Sequence, residues 1–196
     1  MKFFIDTANL DEIAEAKSWG CLAGVTVSAE STATTAEGMI EEGKRLAALA
    51  PNIVVKLPVC EAGLAACRAL ADAGVRVNMT LVFSPTQALM AANAGARYIS
   101  PFVGRFDDIA EDGISQLDNV VTCIKNYDWT GKNVDDTVEI ITASVRTPNH
   151  VTQAALLGAD IATVPMAALK KCLHHPLTDQ GLASFEADWQ KVVAQA

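Results

Sequence analysis

The sequence predicts a parallel α/β fold curled into a barrel, and three observations carry that expectation. First, a helical stretch that ends in glycine and passes straight into a β-branched run recurs four times, in SWGCLAGVT, DAGVRVNMT, NAGARYISP and LGADIATVP. Glycine at a helix C-terminus takes the left-handed conformation that ends the helix. Strand–helix–strand repetition then implies parallel pairing with right-handed crossovers. Second, apolar residues make up 51% of the 196 residues, mostly alanine and valine spread along the chain. That composition suits elements buried on several sides and subunit contacts. Third, the opening strand runs into Asp6-Thr7-Ala8-Asn9 without a glycine. A doubly wound nucleotide-binding sheet advertises a glycine-rich phosphate loop at that place, so a barrel is favoured.

The elements follow in order. Strands are predicted at 3–6, 22–30, 52–58, 76–80, 97–101, 138–144 and 160–165. Helices are predicted at 9–18, 34–49, 61–73, 85–94, 113–126, 148–157 and 178–193. In the first helix Leu10, Ile13, Ala14 and Lys17 fit one amphipathic face. His174 and His175 end a helix before Pro176, and Pro176-Leu177-Thr178-Asp179 reads as the start of the last one. No linker or low-complexity segment interrupts the pattern, so one domain over 1–196 is expected. The strand count is about seven, where the usual barrel has eight.

Charge and composition exclude several functions. A net charge of −8 argues against a nucleic-acid partner. No apolar run approaches the roughly 18–20 residues of a membrane span. MKFFIDTANLDEI is not read as a secretory signal, because acids follow the apolar stretch almost at once. Cys21, Cys60, Cys67, Cys123 and Cys172 are odd in number and lack metal spacing. Reduced thiols point to the cytoplasm, and the three histidines form no ligand motif.

Barrels of this kind carry their chemistry at the C-terminal ends of the strands. Those ends offer Asp6, then Thr26 and Glu30, then Lys56, then Asn78 and Thr80, then Ser100 and Phe102, then Ser144 with Arg146, then Thr163. Lys56 is the sharpest signal, set in IVVKLPV among apolar residues. A lysine is rarely buried without a partner or a task, and a neutral amine attacks carbonyls. An edge lysine reaching for solvent is the competing reading. Alternation puts Val54, Lys56 and Pro58 on one face and Val55 and Leu57 on the other, without saying which points inward. Asp6 could equally cap the first helix. Asn78 breaks a strand pattern and needs hydrogen-bond partners. Arg105 and Arg146 suit phosphate dianions, each weakly by itself.

At this point FFIDTAN, GVT, SAE, NIVVKLP, NMTLVFSPTQAL, ISPFVGRFDDI, ASVRTP, GADIATVP and HPLTDQGL resemble, in order, the motifs of the small transaldolase and fructose-6-phosphate aldolase group. The resemblance covers nearly the whole chain. It implies class I aldolase chemistry with no metal or organic cofactor. Lys56 would form a Schiff base with a ketose phosphate, retain a dihydroxyacetone unit, and pass it to an aldose phosphate. It further implies that Glu30 and Thr80 do acid–base work through a water and that Asp6 handles substrate hydroxyls and protons. Asn78 would contact the bound intermediate, and Arg105, Ser144 and Arg146 would hold phosphate. The aldolase type usually has glutamine where Glu30 stands and tyrosine where Phe102 stands, so the transferase is preferred.

The family reads GVTTNPS, then a helix, then a strand ending in the glutamate. Here Thr26 runs directly into Val27-Ser28-Ala29-Glu30. By that comparison one βα unit is missing, together with an asparagine that contacts the donor. Strand number, tilt and shear are linked in a barrel, so the expectation is an open or distorted barrel, or one completed by subunit exchange in a homo-oligomer. Impaired turnover follows. The alternatives are an aldolase, a sugar-phosphate binder without turnover, or a structural remnant.

Overall fold

The computed structural model describes residues 1–26 and 31–194. Its strands are β1 (Lys2–Asp6), β2 (Leu22–Thr26), β3 (Val55–Pro58), β4 (Val77–Val82), β5 (Tyr98–Pro101), β6 (Glu139–Thr142) and β7 (Ile161–Val164). Helices α1 (Leu10–Ser18), α2 (Ala36–Ala47), α3 (Glu61–Asp72), α4 (Pro85–Asn93), α5 (Gly104–Asp107), α6 (Gly113–Lys125), α7 (Pro148–Leu156), α8 (Met166–Leu173) and α9 (Pro176–Val193) lie between and after them. Every ladder is parallel, and the strand order is β2-β1-β7-β6-β5-β4-β3. The seven strands form a curled, truncated (β/α) half-barrel. β2 and β3 stand at its two ends, and among the described residues they do not pair with each other.

Local sequence accounts for the boundaries. Gly20, Gly74, Gly95 and Gly158 all have positive φ, between 74° and 96°, so each of the four recurring glycines ends its helix as expected. Side-chain caps start every helix but α5 and α8, with Ser84 and Thr147 each preceding a proline in the first turn. His175 caps α9 in the same way. The four-residue α5 after β5 was not foreseen. The helix read as ending at His174 and His175 is α8, which fills 166–173 with a C-cap at His174, where MAALKKCL is a run of good helix formers behind Pro165. In α1 the buried residue is Ala16, while Leu10 is 79% exposed, so the helix rolls away from its predicted face. The predicted strand 22–30 ends at Thr26 in β2, and its remainder lies outside the described residues.

The core sits between the strands and the helical layer. Ile5, Val55, Leu57, Val77, Met79, Ile99, Ile140 and Val164 are all fully buried there. Each such side chain contributes about 1.5–3 kcal/mol of burial. At the N-terminal ends of the strands, Asp135 joins Arg76 and Arg97, and Glu139 joins Arg97 and Lys2. Charges at that end of a barrel serve stability and leave the opposite end for chemistry. Among the described residues, no helix is long and apolar enough to cross a membrane.

Candidate functional site

Which face of β3 looks into the barrel is settled by burial. Val55 and Leu57 are fully buried against the helices, so Val54 and Lys56 turn to the interior. The ladder register then carries the interior face across the sheet. Lys56 lies beside Asn78, Asn78 beside Tyr98, and Pro58 beside Thr80. Asn78 is nearly buried, and its Oδ1 accepts a 2.8 Å hydrogen bond from the Ser100 hydroxyl. That bond fixes the amide next to the lysine and satisfies a group that would otherwise be costly to bury. Thr80 is fully buried, and its Oγ1 has no hydrogen-bond partner among the described residues. A buried hydroxyl left unsatisfied costs about 1–3 kcal/mol, so Thr80 is an expensive residue with its donor unspent.

The end of β4 is bent to achieve this. Leu81 has φ of 59°, a left-handed conformation that a leucine rarely adopts, and the β4–β5 register slips between Met79 and Val82. A bulge of this kind re-aims the side chains at a strand end and often lies beside a working site.

Asp6 ends β1 on the same face as Phe4, which lines the barrel interior. It does not cap α1. Asn9 does, its Oδ1 accepting from the Asp11 amide at 2.9 Å. Burial raises the Asp6 carboxyl above its ordinary pKa, and the charge of Lys56 opposes that rise. The two residues therefore feel each other, although β1 and β3 lie near opposite ends of the strand order. Curling of the sheet brings them together.

The outer edge of β3 is held by the chain that follows the gap. The Ser31 amide donates to the Lys56 carbonyl at 3.2 Å. Glu42 on α2 accepts from the Ser31 hydroxyl at 2.7 Å and from the Thr32 amide at 3.0 Å. Those bonds, the Ser31 hydroxyl foremost, hold the Glu42 carboxyl below its usual range. Glu30 lies outside the described residues.

A basic rim stands beyond β5 and β6. Ser144 has φ of 57°, and its carbonyl accepts from the Gly104 amide at 3.1 Å. Arg105 is exposed, its guanidinium 5.7 Å from the Phe102 ring centroid. Phe102 packs against Phe83. Arg146 forms a two-pronged ion pair with Asp108, one arm Nη2 to Oδ2 at 2.6 Å, and holds that carboxyl below the usual range. The fold thus turns Lys56, Asn78, Thr80 and Ser100 to the interior, leaves Asp6 exposed at the end of β1, and sets Phe102, Arg105, Ser144 and Arg146 on the rim beyond β5 and β6. Sequence reading missed Glu42, which is half-buried, and Asp108, which is exposed, acids with no distinguishing local pattern. It also missed Tyr98, which strand alternation from Ser100 could have found.

Between β2 and β3 lies a cavity of about 530 Å³. Ala23, Gly24, Val25 and Thr26 line one side; Asn52, Ile53, Val54 and Lys56 line the other. Phe4, Asn78, Tyr98 and Ile141 complete the walls. A closed eight-stranded barrel fills this space with layers of side chains. Among the described residues, no cluster of three or more His, Cys, Asp or Glu could hold a metal.

Comparison with known proteins gives the family. The family model described as transaldolase/fructose-6-phosphate aldolase matches residues 26–196. A probable transaldolase of Lysinibacillus sphaericus is 49% identical over 219 positions, covering 97% of this chain and 98% of that protein. A probable transaldolase of Thermus thermophilus is 48% identical over 228 positions, covering 98% and 99%. One from Aquifex aeolicus is 47% identical over 219 positions, covering 98% of each. These alignments are longer than the 196 residues here, so each relative holds sequence that this chain lacks. Among solved structures, a mandelate oxidase mutant with an FMN adduct is similar with a TM-score of 0.54 at 16% identity, over 84% of this chain and 64% of that one. That likeness concerns the barrel fold alone.

Proposed function

The chain belongs to the transaldolase/fructose-6-phosphate aldolase family, and from that premise we propose that it transfers a dihydroxyacetone unit between sugar phosphates through a Schiff base on Lys56. The single observation that carries the reading is the placement of Lys56 on the interior face, beside Asn78 and within electrostatic reach of Asp6.

Chemistry follows from that placement. The Lys56 amine attacks the ketose carbonyl, a C–N bond forms and the oxygen leaves as water. The resulting iminium accepts the electron pair when the neighbouring carbon–carbon bond breaks. Asp6, protonated at higher pH than an ordinary carboxyl, can take the hydroxyl proton of the departing aldose once ionised and later return it. Thr80, with Glu30, positions the water that carries protons to and from the imine. Asn78 holds a hydroxyl of the retained three-carbon unit. The enamine then adds to an acceptor aldehyde, and water releases the lysine. On the rim, Arg105, Ser144 and Arg146 take the substrate phosphate, which must draw Arg146 from Asp108; Phe102 walls the passage. No cofactor is required, because the lysine is the electrophilic catalyst.

Efficiency is reduced relative to a closed barrel, since the gap between β2 and β3 leaves the lysine beside an unfilled cavity. The whole chain, 1–196, acts as one cytoplasmic domain. It associates with copies of itself, because α9 exposes Leu182, Phe185 and Trp189 and buries no residue. The gap favours a second reading, a barrel that binds sugar phosphates without turnover; free aldolase activity is a third. The test is transfer from fructose 6-phosphate to erythrose 4-phosphate. Seven-carbon product that disappears in Lys56→Ala supports the transferase. Release of glyceraldehyde 3-phosphate without acceptor supports the aldolase, and binding without either product supports the second reading.

A further inference from the structure

We propose that His150 is a positioning residue for the phosphate rim, a brace whose two ring nitrogens tie the Arg146 backbone to Asp107 and keep the rim together when a phosphate draws Arg146 from Asp108. The inference rests on the proposed function for the task of the rim. It adds to that function a residue that touches no substrate.

Two βα units build the rim. Arg105 comes from α5, behind β5, and Ser144 and Arg146 come from the segment between β6 and α7. At the strand ends the backbone joins these halves. The Val103 amide donates to the Ala143 carbonyl at 3.0 Å, and the Gly104 amide to the Ser144 carbonyl at 3.1 Å. Further out, two consecutive acids take over with their side chains. Asp108 pairs with the Arg146 guanidinium, and Asp107 Oδ2 lies 3.0 Å from His150 Nε2. The first of these ties is given up when Arg146 turns to a phosphate. The second is not.

His150 is fixed for this task on both sides. Thr147 caps α7, and its hydroxyl accepts from the His150 amide at 3.2 Å, which sets the ring on the first turn of the helix. The residue is buried, and the Arg146 amide donates to its Nδ1 at 3.3 Å. An amide N–H only donates, so Nδ1 bears a lone pair. A carboxylate only accepts, so the ring proton sits on Nε2. Each nitrogen is thus committed to one half of the rim. Ser144, two residues before Arg146, has φ of 57°. A conformation of that kind persists only where its surroundings hold it, and the Nδ1 bond anchors the chain just beyond it.

Charge alone would act in the opposite direction. Arg146 is held above its ordinary pKa by its bonds to Asp108 foremost, and the charge of Asp107 adds to that. A carboxylate so near the rim repels an arriving phosphate. Removing its charge should tighten phosphate, whereas removing its bond to His150 should loosen it.

The test uses the full chain in matched pairs of variants. Borohydride trapping on Lys56 is read at graded fructose 6-phosphate and at graded dihydroxyacetone, a ketone without phosphate. Asp107→Asn keeps an oxygen for His150 Nε2, and Asp107→Ala does not. We expect the half-saturating concentration of fructose 6-phosphate, divided by that of dihydroxyacetone, to be about tenfold higher in Asp107→Ala than in Asp107→Asn, the worth of one such bond. His150→Gln, whose amide still donates to Asp107, should stay about tenfold below His150→Ala in the same ratio. Asp107 is exposed, so its pair decides the matter if the His150 variants do not fold. Equal ratios in the Asp107 pair, or a lower ratio in Asp107→Ala than in Asp107→Asn, overturn the proposal. If the unmodified chain traps neither ketone, the proposed function fails, and the Asp107 pair is compared by phosphorus NMR titration with inorganic phosphate. There a tenfold weaker affinity in Asp107→Ala supports the brace. Equal affinity, or no phosphate binding by the unmodified chain, overturns it.

Discussion

Replacing Gly104 by alanine probes the phosphate rim through one added methyl group. A Cβ at Gly104 would lie 2.3 Å from the Ser144 carbonyl oxygen and 2.8 Å from Arg146 Nε. The first contact is with backbone, so it cannot be relieved by swinging a side chain. Ordinary contact requires the Ser144 carbonyl to retreat by about 1 Å, at the expense of the bond it accepts from the Gly104 amide. Overpacking of this kind costs about 1–3 kcal/mol, and the lost hydrogen bond about 1 more. Gly104→Ala should therefore lose about 2–4 kcal/mol of stability in urea unfolding. It should also displace Ser144 and Arg146, and a shift of about 1 Å can cost about 100-fold in rate. The assay is kcat/KM for a phosphorylated donor against the same sugar without phosphate. A selective loss on the phosphorylated donor is expected. An unchanged unfolding midpoint, or equal losses on both donors, would refute the rim assignment.

Three further outcomes are expected. Because the folded pKa of Asp6 is raised, its ionisation disfavours the fold. Stability is thus higher below its ordinary value of 3.8 and declines as pH rises through the raised one; Asp6→Asn should remove that decline in a pH series of urea midpoints, and the acid limb of the rate profile with it. Thr80→Val should stabilise the chain by about 1 kcal/mol, since a buried unpaired hydroxyl is replaced by a methyl of like shape, yet lower kcat at least tenfold; a variant that keeps full kcat would remove Thr80 from the mechanism. Light scattering should find an assembly that Phe185→Ser with Trp189→Ser dissociates, and a concentration-independent monomer for the unmodified chain would contradict association through α9.

Much of the fold was legible because its signals are local. Four glycines with positive φ end helices and start strands, a pattern written in consecutive residues. Four of the strands, β2, β4, β5 and β7, and the parallel sense of the sheet follow from it. The missing unit was equally visible, since Thr26 runs into Val27-Ser28-Ala29-Glu30 without a helix. What escaped was tertiary. Alternation on β3 could not say whether Lys56 or Leu57 faced inward; packing of Val55 and Leu57 against helices decides that. Asp6 read equally well as a helix cap until Asn9 took that role. Glu42 and Asp108 are ordinary surface acids in sequence and acquire partners only through folding. The cavity belongs to no residue in particular. It lies between β2 and β3, the two ends of the strand order, a juxtaposition that only the curled course of the sheet reveals.

The central claim is that imine chemistry survives on Lys56 in an open, seven-stranded barrel. Borohydride trapping with fructose 6-phosphate, read by intact and peptide mass spectrometry, tests it most directly. The account predicts a three-carbon or six-carbon adduct on Lys56 that is absent in Lys56→Ala. A folded protein that gives no adduct at saturating sugar phosphate would contradict it.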